Sequence, residues 1–569
     1  MQYHREGRTN IKVSQIPYKR FTLEEAQAAF DAYIKANAAA TCAQDVIDAK
    51  NVLMESMIDY YTQASLANCR FTLDTRDEFY SAEVAYYDEI GPHISGMQAE
   101  YGKLLLTSPY RAELEKLMNP RIFKSLEISM KCFDPCIVED MQEENAVTTE
   151  YSKFMSEMQF EFRGQTMPLS ALRGNLEDGD RETRRECAEA IGRGLQANAA
   201  QLDEFYDKLV KIRHRIATKL GYKNFVELGY YRMGRLDYDA DMVRKFRDNV
   251  KESLVPRVKA LKEKLAEEMD YGTFMFYDDA IWMAGEQPRP MLDKDGIFKA
   301  AQEMYDDMNP VVGAFMRSMQ EAEAFDVEAR DGKFGGGYCT CFPKYKQPFI
   351  LANFNGSCGD VDVMTHEFGH ALAAHFACEQ DNFELDVGGM ETAECHSMSM
   401  EFLCWKYMDK FFGDMAPKYR KRHLLDALSF IPYGVIVDEF QHLMYEHPEY
   451  TPAQRKEVYL SLEEKYRPYM TLTGIPYIEE GTRWQYQMHI YESPFYYIDY
   501  CLAQTVAIGF LVASTEDYDS ALARYLEFAK CGGTKAFEQL IEDAGLASPF
   551  KDGALEVLAD KAAEIAKTV

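Results

Sequence analysis

Apolar residues at three- and four-residue spacing, broken by short polar stretches, recur along most of the chain and predict helix after helix. In the first third, Thr22-Leu23-Glu24-Glu25 has the side chains of a capping box and opens an Ala-rich amphipathic segment, and a second helical run spans residues 43 to 66. Gly91-Pro92 and Ser108-Pro109 punctuate the later pieces, each proline being suited to a first helical turn. Residues 157 to 169 depart from this pattern, because Phe160, Phe162 and Met167 flank Arg163-Gly164-Gln165 as in a small hairpin. The polar, glycine-bearing stretch from Gly174 to Asp180 reads as a hinge or boundary. It divides an N-terminal helical region, 1–180, from a second region, 181–569, that opens on a charged helix.

Helical periodicity resumes from about residue 195 to 271, with breaks at Gly221-Tyr222 and around Gly234. Residues 272 to 294 predict a long loop, since a flexible linker would not carry so many aromatics. The period then changes. Gly335-Gly336-Gly337-Tyr338 and the β-prone run Phe349 to Phe354 predict a small sheet, followed by a return to helices over the last 150 residues or so. The run 349–354 is expected to be an edge strand able to pair with an extended peptide, with the glycine loop closing over it. The pattern alone therefore gives a mainly α chain with a minor β element.

Composition narrows the partners. With 63 basic and 93 acidic residues the formal charge is -30, which repels a phosphate backbone and anionic lipid alike. Neither nucleic acid nor membrane is an expected partner, and no uninterrupted apolar segment reaches the roughly 18 residues of a membrane span. Met1 to Glu6 is polar and leads into no apolar run of signal-peptide length, so a cytoplasmic location is expected. The 13 cysteines are odd in number and scattered, as free thiols in a reducing compartment would be. Cys132/Cys136 and Cys339/Cys341 do not have Cys-x-x-Cys spacing and read as small packed residues. Nothing in the composition sets an oligomeric state.

The chemistry concentrates at Thr365-His366-Glu367-Phe368-Gly369-His370, a His-Glu-x-x-His motif. On a helix its histidines lie four apart on one face, close enough to grip one ion. With 11 His among 569 residues, chance would produce the motif about 0.02 times. A hydrolytic zinc site takes three protein ligands and keeps a position open for water. A His-x-x-Gly-x-x-His extension is ruled out, because Ala373 and Phe376 stand where Gly and His would be required. A downstream carboxylate on a helical segment fits, and Glu391, Glu394 and Glu401 all qualify. Glu394 and Glu401 are two turns apart on one face, so one can ligate while the other supports.

His366-Glu367-Phe368-Gly369-His370-Ala371, taken with the run from Glu394 to Phe402, resembles the thimet oligopeptidase family of zinc peptidases, in particular its oligoendopeptidase F and Pz-peptidase branch. The segment from Met488 to Tyr500 also resembles that family's histidine followed by a tyrosine cluster. The likeness is firmest from about 200 to 569. It implies that His366, His370 and Glu394 hold one zinc ion per chain, with Glu401 supporting them, and that 181–569 is a gluzincin-type catalytic region. It also implies a helical two-lobed clamshell with a deep substrate channel and a small β-sheet beside the zinc site, admitting short unfolded peptides.

Zinc lowers the pKa of a bound water, and Glu367, inside the motif, is placed to take that water's proton and pass it to the leaving amine. His489 and the phenols of Tyr497 and Tyr500 are candidate oxyanion donors. The His-to-Tyr spacing is one residue shorter than the thimet-type pattern and lacks its Gly-rich run, so Tyr496 stands beside Tyr497 as an alternative. The function expected is that of a zinc endopeptidase acting on short peptides. A dipeptidyl carboxypeptidase of the angiotensin-converting type has similar His-to-Glu spacing, and a non-catalytic helical peptide-binding protein is the alternative from another class.

Overall fold

A computed structural model describes residues 11–285, 287–380, 383–385 and 388–568. Helices dominate. The strands of the described residues are β1 (Phe160–Phe162), β2 (Gln165–Met167), β3 (Phe325–Glu328), β4 (Tyr338–Phe342) and β5 (Gln347–Phe354). The chain forms two compact units, each assembled from separate stretches. The first takes the chain up to Met130, Pro288–Ala416 and Ala513–Leu546, and the second takes Lys131–Gln287, Pro417–Val512 and Ala547–Val569. The stretch 174–180, which contains a single 3-10 turn (Gly174–Glu177), lies inside the second unit.

In the first unit three long helices, α1 (Leu23–Ala38), α2 (Ala43–Leu73) and α3 (Glu78–Leu106), pack together. The capping box is formed: the Thr22 hydroxyl accepts from the Glu25 amide at 3.2 Å, and the Thr22 amide donates to the Glu25 carboxylate at 2.8 Å. One expectation fails here. Pro92 does not open a helix but sits inside α3. The ring costs a main-chain hydrogen bond, yet Tyr87, Ile90 and Ile94 on either side are buried in the core shared with α1 and α2, and that packing holds the helix together. Pro109 likewise precedes the helix Arg111–Leu117 instead of starting its first turn.

The three-stranded sheet of this unit has the order β3-β5-β4, parallel between β3 and β5 and antiparallel between β5 and β4. The expectation of an edge strand at 349–354 is therefore corrected, because β5 is central and β3 and β4 are the edges. The physical reason is visible in burial: Gln347 to Ala352 are all buried, and a continuous apolar run marks a strand covered on both faces. The sheet leads into α4 (Gly359–Cys378), which packs against α5 (Met390–Leu403). Between these two helices Phe383 and Leu385 enter the core of α1–α3. Glu384, half-buried between them, meets Lys50 Nζ at 2.6 Å and accepts from the Tyr101 hydroxyl at 2.5 Å.

In the second unit, the hairpin β1-β2 turns at Arg163 (φ 51°) and Gly164 (φ 78°), the positive-φ pair that a tight two-residue turn demands. Its core is aromatic: Trp484 is fully buried among Tyr206, Phe440 and Tyr491, and Tyr491 stacks on Tyr151 at 3.9 Å. The Arg213 guanidinium threads that core, reaching Glu144 at 2.7 Å and the Tyr445 hydroxyl at 2.9 Å. The predicted loop at 272–294 holds a short 3-10 turn, Phe276–Asp278, whose Asp278 binds Arg181 and Arg184 at 2.7 and 2.9 Å. The helix Tyr497–Glu516 has the length and mean hydropathy, 1.4, of a membrane span, but 78% of that window is buried within the protein.

Candidate active site

The start of α4 is secured by Asp360, whose carboxylate accepts from the Asn355 and Gly356 amides at 2.9 and 2.8 Å, as suits an acid in a first turn. Its buried face carries Phe368, which stacks on Tyr305 at 4.0 Å and lies 5.5 Å from Phe315. Gly369 faces α5, and a Cβ there would stand 2.6 Å from the His396 carbonyl oxygen and 2.7 Å from Ser397 Cα. Only glycine lets the two helix backbones approach this closely. The same His396 carbonyl accepts from the Tyr525 hydroxyl at 2.8 Å, which ties α5 to the helix Tyr518–Cys531.

This packing brings His366, His370 and Glu394 together, with one potential ligand atom from each lying within 4.8 Å of the others. Glu394 Oε2 is 3.5 Å from His366 Nε2 and 3.6 Å from His370 Nε2. Those distances are long for hydrogen bonds. They match the edges of a tetrahedron whose nitrogen and oxygen ligands sit about 2.0–2.2 Å from the ion, roughly 3.3–3.6 Å. The donor set therefore fits a tetrahedral divalent ion.

Of the other contenders, Glu401 accepts from His366 Nδ1 at 2.6 Å, behind the face that meets Glu394. Glu391 lies outside the group, its carboxylate turned back toward Gly389. Ser397 Oγ donates to Glu394 Oε2 at 3.2 Å.

Electrostatics in this cluster follow from burial. Burial pushes the Glu367 carboxyl up to about 7, opposed by His366 and reinforced by Glu394 and Glu401. Burial, and then the neighbouring His366, bring His370 down to about 4. Burial also works against charge on His366, but the carboxylates of Glu394 and Glu401 overcome it and raise its value. A bound cation would displace the proton from that ring. Glu367 Oε2 is buried with no hydrogen-bond partner in the protein, while its Oε1 comes within 3.9 Å of where a Cβ of Gly337 would stand, just before β4.

His489, Tyr496, Tyr497 and Tyr500 gather in the second unit, where His489 lies 5.8, 5.1 and 5.8 Å, centroid to centroid, from the three tyrosine rings in that order. Burial raises the Tyr497 phenol well above its ordinary value, so it remains a neutral donor. Two further contacts had no signal in the sequence: Gln487 Nε2 donates to His489 Nδ1 at 2.8 Å, and the Tyr433 hydroxyl donates to Gln487 Oε1 at 2.8 Å. The contribution of Gly369 did have a signal, a glycine inside the motif itself.

A mainly helical fold in which a His-Glu-x-x-His helix meets a glutamate from a neighbouring helix defines a metallopeptidase. Residues 13–133 match the Peptidase M3 N-terminal domain and residues 299–560 match Peptidase family M3. The chain belongs to peptidase family M3. Among solved structures it is similar to Pz peptidase A with an inhibitor, at 40% identity over 98% of this chain and 99% of that one, with a TM-score of 0.93. It is also similar to a protein described as an oligoendopeptidase F from Bacillus anthracis str. Ames, at 34% identity over 98% of each chain, with a TM-score of 0.89. The oligopeptidase PepF of Bacillus subtilis (strain 168) is 23% identical over 301 residues, a match covering 52% of this chain. The chain spans less than half the length of that curated relative, 43%.

Proposed function

We propose that the protein is a zinc-dependent endopeptidase that hydrolyses internal bonds of short, unfolded oligopeptides in the cytoplasm. The observation that carries this reading is the closure of His366, His370 and Glu394 to tetrahedral spacing beside the unpartnered, buried carboxylate oxygen of Glu367. Zinc bound there would polarise the scissile carbonyl and lower the pKa of a coordinated water. The chain's own residues do the rest. Glu401 holds the His366 ring from behind, fixing its ligating nitrogen. Glu367, inside the motif and with a buried carboxylate oxygen that has no partner in the protein, accepts the proton of the attacking water and returns it to the leaving amine.

Strand β4 is an edge strand, and the Glu367 carboxylate faces the Gly337 backbone that leads into it. An extended peptide adding to that edge would run past the base, with affinity from main-chain hydrogen bonds and tolerance of sequence. His489, with Tyr497, Tyr500 and the alternative Tyr496, acts as a neutral donor set for the oxyanion of the tetrahedral intermediate. In this reading residues 181–569 carry the catalysis and 1–180 form an N-terminal helical region with a small hairpin near 157–169. The 13 free thiols suit a reducing compartment.

The decisive experiment pairs metal analysis with cleavage of a quenched peptide of eight to twelve residues, blocked at its C-terminus. Glu367→Gln is expected to keep its zinc and lose turnover by several orders of magnitude. Zinc-free wild-type protein, full activity in the variant, or failure to cut internal bonds of the blocked peptide would each refute the proposal.

A further inference from the structure

His489 has two ring nitrogens, and a hydrogen-bond donor to substrate must carry its proton on the outward one. Which nitrogen holds the proton is decided by whatever the other nitrogen meets. Here Nδ1 meets the side-chain amide of Gln487, with Nε2 of the amide 2.8 Å away. An amide nitrogen donates and cannot accept. Nδ1 must then present its lone pair, and the proton belongs on Nε2.

The amide would impose the opposite tautomer if it were turned over, so its orientation matters. Tyr433 sets it. The Tyr433 hydroxyl is 2.8 Å from Gln487 Oε1, and burial pushes that phenol above its ordinary value, so it keeps its proton. The Arg483 guanidinium lies over the Tyr433 ring, 4.2 Å from the centroid, and strengthens the hydroxyl as a donor. Turning the amide over would let its N–H donate to the Tyr433 oxygen but would leave the Tyr433 proton without the Oε1 acceptor it has here, which favours the orientation seen.

The backbone at this point is also fixed. The Gln487 amide donates to the Trp484 carbonyl at 3.0 Å, its carbonyl accepts from Ile490 at 3.0 Å, and Trp484 is fully buried. Tyr433 rises from the long helix Ala416–Glu446 next to Gly434, where a Cβ would stand 2.1 Å from Cys501 Sγ, so this helix lies tight against the one that starts at Tyr497. The Tyr433 ring also meets Tyr497 edge-on at 5.8 Å.

We propose that Tyr433 and Gln487 are positioning residues that hold His489 as the neutral tautomer with its proton on Nε2, keeping the ring a permanent hydrogen-bond donor. This deepens the reading of His489 as an oxyanion donor and rests on it for its catalytic meaning, but not for the tautomer itself. The relay also disfavours an imidazolium, since a doubly protonated ring would point Nδ1–H at the Gln487 N–H.

The test is imidazole nitrogen NMR on the zinc-loaded full chain labelled with 15N-histidine, with the His489 signal assigned from its loss in His489→Gln. The expected wild-type result is a neutral ring with the proton on Nε2 and Nδ1 as acceptor. Gln487→Glu offers only acceptor oxygens and should transfer the proton to Nδ1 or charge the ring. Its kcat is expected to fall about 100- to 1,000-fold, the usual effect of losing one oxyanion donor, with KM nearly unchanged. Tyr433→Phe leaves the amide in place but unoriented and should give a mixture of tautomers with a smaller loss, which covers the case in which Gln487→Glu fails to fold. A wild-type His489 protonated on Nδ1, or a tautomer unchanged in both variants, overturns the proposal. An Nε2–H tautomer together with unchanged turnover in His489→Gln supports the relay and overturns the catalytic role of His489 instead.

Discussion

Replacing Gly369 by alanine tests whether the candidate metal site depends on how closely two backbones approach. The added methyl would stand 2.6 Å from the His396 carbonyl oxygen and 2.7 Å from Ser397 Cα. Both are main-chain atoms of α5, so no side chain can swing aside. Ordinary carbon contacts begin near 3.4 Å, so α4 and α5 must separate by about 0.7 Å. Such overpacking typically costs about 1–3 kcal/mol. The separation falls directly on the candidate ligands, since His366 and His370 ride on α4 and Glu394 on α5, and a metal site tolerates only about 0.2 Å in its ligand distances. If the strain is relieved mainly by loosening the site, zinc affinity falls about 5- to 150-fold, taking 1.4 kcal/mol as tenfold. Competition with a chromophoric chelator would measure that loss, and thermal unfolding of the zinc-free protein would measure the strain that remains. Gly96→Ala is the control: it lies within α3 with open space around its Cβ position, and should be neutral or stabilising by about 0.5–1 kcal/mol. A Gly369→Ala protein with unchanged zinc affinity and unchanged melting would refute the reasoning.

Other consequences are open to direct measurement. Glu401→Ala removes the partner that His366 Nδ1 meets at 2.6 Å and should weaken zinc about 10- to 100-fold; equal affinity by chelator competition would show that Glu401 does not orient the ring. Glu144 governs part of the acid response of the second unit. Burial alone would raise its carboxyl, but Arg213 and Arg232 overcome that and hold it below the ordinary carboxylate value. A group depressed on folding stabilises fully above its unfolded value of about 4.3, and that contribution is lost as pH falls through the folded value. Glu144→Gln should therefore lower the urea midpoint most at pH 7, where breaking a buried pair costs about 3–5 kcal/mol. Its deficit should shrink on acidification below pH 4, and a deficit independent of pH would contradict the assignment.

The sequence by itself determined what rests on spacing along one element. Four-residue spacing put His366 and His370 on one helix face, Thr22 and Glu25 formed the capping box, Arg163-Gly164 made the hairpin turn, and family membership was legible from residues around 366 and 394. Tertiary structure decided what depends on which face of one element meets another. Glu391, Glu394 and Glu401 are all carried by α5, and only the packing of that helix on Gly369 aligned Glu394 with both histidines and set Glu401 behind one of them. Likewise β5, expected at an edge, became central because β3 and β4, both of which precede it in sequence, paired with its two opposite edges, and Pro92 stayed helical because its neighbours were buried. The amide of Gln487 and the hydroxyl of Tyr433 are 54 residues apart, and nothing in local periodicity links them. Periodicity is a property of one segment. The partner of each face is a property of the whole chain, fixed only when distant segments bury their surfaces together.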